Sequence, residues 1–161
     1  MNRAIAVCNQ KGGVGKTTTA VNVSACLAII GKKVLLIDLD PQASATVSIG
    51  VDISNCKTTI YDVIVDGATI QDSLVSTSVK GLDLVPASLE LAKAELRLSQ
   101  LDEPDAAMRK ACEAIRESYD AIFFDCPPSL GVLTSNALVA AESVVIPVQC
   151  EYLALEGLSA L

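Results

Sequence analysis

The chain has 161 residues, 51% of them hydrophobic, and a formal net charge of −7 from 12 basic and 19 acidic residues. That is enough for one domain with its own core over residues 1–161. It excludes a disordered chain, and the acidic balance without a basic run excludes a self-sufficient nucleic-acid-binding face.

Taken in chain order, the opening MNRAIAVCNQ turns polar too soon for a signal peptide. No apolar run reaches the roughly 18 residues that span a bilayer, so the expectation is a soluble, cytoplasmic protein with no membrane partner. Residues 3–8 predict a short strand, 9–15 a glycine-rich loop, and 16–30 a helix closed by Gly31 and the cations Lys32 and Lys33. Residues 33–37, KVLLI, read as an apolar strand ending at Asp38. Residues 39–57 read as an irregular loop with one helical turn. Short helices follow over 58–65 and 69–75, then a strand over 82–86. Residues 89–101 and 104–118 have helical spacing, with Pro104 suited to a first turn. YDAIFFD, 119–125, is a strand with an acid at its end, and Pro127 and Pro128 stop regular structure after it. A helix over 134–141, a strand over 143–148 and the start of another helix over 152–161 complete the chain.

Alternating strands and helices predict a three-layer α/β domain with a mostly parallel sheet. The polar motifs fall just after strand ends, where such sheets bind ligands. There is no histidine, and the six cysteines form no C-x-x-C pair, so neither a mixed Cys/His zinc site nor a Ser-His-Asp hydrolase is available. Most cysteines lie in apolar runs and read as small buried hydrophobes.

Three motifs carry chemistry. QKGGVGKTT, residues 10–18, matches the phosphate-binding pattern G-x-x-x-x-G-K-[ST] at Gly15, Lys16 and Thr17. Gln10 stands where the opening glycine belongs, and a second cation, Lys11, follows it. Gly12, Gly13 and Gly15, with Val14 among them, let backbone N–H groups approach phosphate oxygens at a helix N-terminus. Lys16 suits the β- and γ-phosphates, Thr17 a Mg²⁺ ion, and Thr18 the α-phosphate. LLIDLDPQAS places Asp38 at a strand end and Asp40 two residues on, suited to Mg²⁺ and to an attacking water. FFDCPPS places Asp125 after an apolar run, where an acid holds Mg²⁺ through water. Without the first motif, these acids would read as ordinary strand-end and turn residues.

QKGGVGKTTT, LLIDLDPQAS and DCPPSLGVLTSNAL together resemble the ParA/Soj branch of the deviant Walker-A ATPases, relatives of MinD, and the terminal EYLALEG is similar to the same branch. The resemblance implies a P-loop NTPase-like fold, ATP/ADP and Mg²⁺ as ligands, and a homodimer that sandwiches nucleotide. It also implies that Lys11 reaches the partner's phosphates, Asp40 orients the hydrolytic water, and Asp38 and Asp125 serve the Mg²⁺. Residues 40–48 and 127–133 would be switch segments, with Asn136 supporting the second unless it is only a helix-face polar residue. A ParB-type partner and nonspecific DNA binding in the full-length protein, with nucleoid association, follow from the same likeness. Family members continue beyond this length, so the expectation is a C-terminally truncated chain lacking base recognition and much of the DNA surface. A MinD-like membrane-cycling ATPase and a non-catalytic nucleotide-binding scaffold are the alternative readings.

Overall fold

The apolar runs become strands buried on two faces. In Arg3–Val7 (β1), Ala4 and Ala6 enter one apolar cluster and Val7 a second. In Val34–Asp38 (β2), Leu35 and Ile37 enter the first, Val34 and Leu36 the second. Such strands need helices over both faces, which is why they read as continuous hydrophobic runs and not as alternating ones. The computed structural model describes residues 3–150. Val75–Ser76 (β3), Leu82–Val85 (β4), Ala121–Asp125 (β5) and Ser143–Val145 (β6) complete the sheet among the described residues. Its order is β3-β4-β2-β5-β1-β6, and every pairing is parallel except β3 with β4.

Lys16–Ile29 (α1) and Ser44–Ser48 (α2) cover one face, contributing Ala20, Ala28 and Ala45 to its cluster. Ile60–Val65 (α3), Ile70–Ser73 (α4), Ala94–Leu98 (α5), Ala107–Glu113 (α6) and Val132–Ala140 (α7) cover the other. Small residues on α1 let it lie close to the sheet. The opposite layer is built from larger side chains such as Ile60, Leu91, Leu98 and Met108.

Helix ends follow local chemistry. Gly31, at φ 93°, closes α1: its N–H donates to Ala28 O and the Lys32 N–H to Leu27 O, the paired bonds of a Schellman stop. Thr69 opens α4 with a capping box, its Oγ1 accepting from Asp72 N while its N–H donates to the Asp72 carboxylate.

Several elements differ from expectation. The helices expected over 89–101 and 104–118 are shorter, α5 following a 3₁₀ turn at Leu89–Lys93 and α6 spanning Ala107–Glu113. Pro104 lies ahead of the first turn of α6, which has Ala106 at its N-cap and no cap from that side chain. Asn136 of α7 supplies the missing acceptor, its Oδ1 taking the Met108 N–H at 3.0 Å while its Nδ2 donates to Pro104 O at 2.8 Å. Asn136 is therefore a fully buried clamp between two helices, not a helix-face polar residue. β3 was not expected, since two residues are too few to show alternation. β6 stops at Val145, and Pro147 beyond it has no N–H to extend a ladder. Lys32 and Lys33 fall past the end of α1, with Lys32 in a surface ion pair to Asp120. Cys8, Cys112 and Cys126 are buried, but Cys26 and Cys150 are exposed. The helix expected over 152–161, and EYLALEG with it, lies outside the described residues. Among the described residues no helix is long and apolar enough to cross a membrane.

Candidate functional site

The loop between β1 and α1 wraps the N-terminus of α1. Gly13 and Gly15 have φ of 74° and 93°, and Gly15 is the helix N-cap. A Cβ at Gly12, Gly13 or Gly15 would meet nothing within 4 Å. At Gly13 and Gly15 the backbone conformation selects glycine, and the open space above all three is the site itself. No side chain caps the helix, so its first N–H groups face that space. Val14 is 7% exposed, buried within the loop between its glycines. Lys16 is also 7% exposed, and its Nζ donates to Lys11 O at 3.1 Å, which holds the ammonium inside the curl of its own loop.

A cavity of about 280 Å³ opens there. The glycines, Lys16, Thr17 and Thr18 form one wall, and Asp40, Ser44 and Pro128 the other. A larger groove of about 670 Å³ lies between α3 and α6, but its lining is mainly apolar and the polar chemistry gathers at the smaller one. Ser44 and Pro128 belong to segments 40–48 and 127–133, so both of these reach the cavity. The Lys11 side chain is not among the lining residues; its backbone shapes the loop through the Lys16 contact and through its own N–H, which donates to Asn9 Oδ1.

The two strand-end acids are register partners on β2 and β5, both 0% exposed. Asp38 is held by three protein donors. Its Oδ2 accepts from Thr46 N at 2.8 Å and Thr46 Oγ1 at 2.7 Å, and its Oδ1 from Asp40 N at 3.1 Å. Asp38 is expected in the Mg²⁺ shell through water; here three of its acceptor sites shape segment 40–46. Burial pushes its carboxyl up to about 6 against the pull of these bonds. Asp125 is the reverse case: neither oxygen has a hydrogen-bond partner. Burial, with Asp38 and Asp40 nearby, pushes it up to about 7; the Thr17 hydroxyl, near it without completing a hydrogen bond, and Lys16 pull the other way. Asp40 is half-buried, its Oδ1 accepting from Gln42 N at 2.9 Å. Next to it Ala43 adopts a left-handed φ of 53°, the non-glycine residue with positive φ among the described residues.

An orphaned buried carboxylate beside a threonine hydroxyl fits a hydrated divalent cation. Water ligands would donate to Asp125, and the hydroxyl and phosphates would bind the ion directly. Among the described residues no cluster of three His, Cys, Asp or Glu could cage a metal alone.

Asn9 and Gln149 take part in the site without a sequence signal that marks them, and Ser44, Thr46 and Pro128 are marked only as members of segments 40–48 and 127–133. Asn9 and Thr46 adjoin the motifs but contribute side-chain bonds that no spacing rule encodes. Gln149 reaches the loop from 136 residues away, its Nε2 donating to Gly13 O at 3.2 Å.

A glycine-built phosphate loop at a helix N-terminus, with strand-end acids beside it, defines a P-loop nucleotide-binding protein. The chain belongs to the AAA domain family, which matches residues 2–161. It is 53% identical over 161 residues to the sporulation initiation inhibitor protein Soj of Bacillus subtilis, covering all of this chain and 64% of that protein. It is 47% identical to the chromosome partitioning protein ParA of Caulobacter vibrioides, covering 99% of this chain and 60% of that one. The chain thus spans about three fifths of these relatives' length. Among solved structures, a Mycobacterium smegmatis protein described as cobyrinic acid a,c-diamide synthase, with bound ADP and magnesium, superposes with a TM-score of 0.94 at 42% identity, covering 99% of this chain and 65% of that one. The same protein has been solved with an ATP analogue and magnesium.

Proposed function

We propose that the chain binds ATP and ADP with Mg²⁺ and forms the catalytic part of a ParA/Soj-type partition ATPase that switches state on nucleotide-driven dimerisation. The observation that carries this reading is the meeting, at one cavity, of the α1 N-terminus, Lys16, Thr17 and Asp40, with the buried, unpaired Asp125 close to Thr17 and Lys16 but not lining the cavity. The partition reading is preferred over the synthase named for the Mycobacterium structure because identity to the Bacillus and Caulobacter proteins is higher, 53% and 47% against 42%.

In this mechanism Gly12, Gly13 and Gly15 admit the phosphates to the loop amides. Lys16 neutralises the β- and γ-oxygens, and Thr18 contacts the α-phosphate. Thr17 and Asp125 would hold a Mg²⁺, the latter through water, and the ion would supply charge neutralisation to the phosphates. Asp38 acts one step back, fixing Asp40 and Thr46. Asp40 offers Oδ2 to orient a water in line with the γ-phosphate. Lys11, outside the cavity of its own chain, serves the partner's phosphates in a dimer. Binding of a ParB-type partner and of DNA belongs to the full-length protein in this reading.

The test is phosphate release from Mg·ATP by the chain, with Lys16→Ala and Asp40→Ala alongside. Loss of nucleotide binding in the first and of turnover alone in the second supports the ATPase. Binding with no turnover in the unaltered chain supports a nucleotide-binding scaffold instead.

A further inference from the structure

We propose that Asn9 and Gln149 are positioning residues of the phosphate loop, tying it to the chain that leaves edge strand β6. The loop's shape is then set from the sheet edge as well as by its glycines.

β1 and β6 are parallel partners, with Val7 opposite Val145, and the Cys8 N–H donates to Val145 O at 3.1 Å. The next donor from the β6 side would be Pro147, which has none. Side chains take over where the ladder stops. Asn9, 4% exposed, donates from Nδ2 to Pro147 O at 2.8 Å and accepts the Lys11 N–H at Oδ1 at 3.0 Å. Both ends of the carboxamide are engaged, so a flipped amide would set donor against donor and acceptor against acceptor. Two residues on from Pro147, Gln149 donates to Gly13 O at 3.2 Å.

The second bond acts where the backbone is softest. Gly13 has no side chain to restrict it and sits at φ 74°. Its carbonyl and the Val14 N–H belong to one planar peptide and point opposite ways. Holding that oxygen therefore aims that N–H. In the same way Asn9 fixes the peptide that carries Lys11 N, and with it the start of the Lys11 side chain. The tether runs to a strand whose Val144 and Val145 are 47% and 39% exposed, so a segment pairing with β6 would bear on the loop through these two bonds.

The proposal rests on the loop being the phosphate site, and its test separates the two. Gln149→Ala and Asn9→Ser are compared with the unaltered chain for affinity to Mg·ADP and for hydrogen exchange of the ligand-free loop amides. The serine keeps a short acceptor for Lys11 N but cannot reach Pro147. Gln149→Ala should weaken Mg·ADP roughly three- to tenfold, the worth of one hydrogen bond, and Asn9→Ser at least as much. Exchange at residues 11–14 should quicken while the melting temperature stays within about 2 °C. Unaltered affinity and unaltered loop exchange in both variants would overturn the proposal. So would loop exchange that quickens only together with a general loss of stability. If the unaltered chain binds no Mg·ADP, the functional reading fails, and loop exchange alone decides: faster exchange upholds the tether and unchanged exchange removes it.

Discussion

Asp38 and Asp125 are register partners on β2 and β5; three protein donors hold the first, while neither oxygen of the second has a hydrogen-bond partner. The same substitution should therefore act in opposite directions. Asp38→Asn should destabilise the chain by about 1–3 kcal/mol, because an amide nitrogen is set against the donors of Thr46 or Asp40. Asp125→Asn should leave the ligand-free chain as stable or raise it by roughly 1 kcal/mol near pH 8, since it removes a buried unpaired charge. It should also weaken Mg²⁺-dependent nucleotide binding about tenfold. Thermal melts with and without Mg·ADP check both. A destabilised Asp125→Asn chain with normal binding would make that carboxylate structural.

The two acids also set a pH dependence. Their carboxyls lie above the ordinary 3.8, at about 6 for Asp38 and about 7 for Asp125. The folded chain therefore holds more protons than the unfolded one between those limits. The stability they contribute is complete below 3.8 and is lost as pH rises to about 7. Asp52, Asp72 and Asp120, exposed and lowered by local hydrogen bonds, act oppositely and only as pH falls below 3.8. The melting temperature of the ligand-free chain should fall from about pH 5 to about pH 8, and Mg·ADP should flatten that slope. A ligand-free chain that gains stability across the range would contradict the assignment.

For the two lysines, geometry predicts a division of labour. Lys16→Ala removes a nearly buried ammonium from the cavity and should weaken nucleotide binding by at least about thirtyfold. Lys11→Ala should leave binding to a single chain near its original value while lowering turnover and nucleotide-dependent dimerisation. Isothermal titration and light scattering with a slowly hydrolysed ATP analogue separate the two. Loss of single-chain binding in Lys11→Ala would place its role within its own site.

Much of this was readable in the residues. β2 and β5 are buried at every residue and β1 at Ala4, Ala6 and Val7, so their apolar runs, and the acids that end β2 and β5, stood out. The phosphate loop was equally plain, because its glycines and Lys16 are local. What lay hidden was long-range. Nothing near Pro104 says that Asn136 will cap the helix after it. No spacing around Gln149 says that it meets Gly13. The sequence also led to two long helices where α5 and α6 are short, since Leu96 and Leu101 carry helical spacing yet are 69% and 51% exposed.

Gly81 and Gly131 should respond differently to alanine. At Gly81, φ is +90° and an added Cβ would lie 2.9 Å from the Lys32 carbonyl, which is backbone and cannot swing away. Gly81→Ala should cost about 2–4 kcal/mol. At Gly131 φ is −77°, and the Cβ would meet the carboxylate end of Glu95, an exposed side chain free to rotate. Gly131→Ala should cost under about 1 kcal/mol. Denaturant melts of both variants check the contrast, and equal losses would refute it.

Asn136→Ala should be among the more damaging polar substitutions. It strands the Met108 N–H and the Pro104 carbonyl in the core and should cost about 2–4 kcal/mol. Nucleotide affinity of the folded fraction should stay unchanged, because none of these bonds touches the cavity. A loss of affinity at full stability would show that Asn136 acts on the cavity through segment 127–133, whose Val132 O also accepts from its Nδ2 at 2.9 Å.

The strand order has a consequence in time. β1 is made before the other strands described, yet its sheet neighbours are β5 and β6, with Arg3 opposite Ala121 and Ile5 opposite Ser143. Synthesis at roughly 5–20 residues per second keeps that strand waiting for several seconds. Until then its apolar residues and the loop after it have no bed to lie in, and the closure that joins them spans most of the chain. A nascent or shortened chain ending before β5 can build the β2–β4 pair but not the cradle of the phosphate loop. Competence for nucleotide should therefore arrive late and all at once during synthesis.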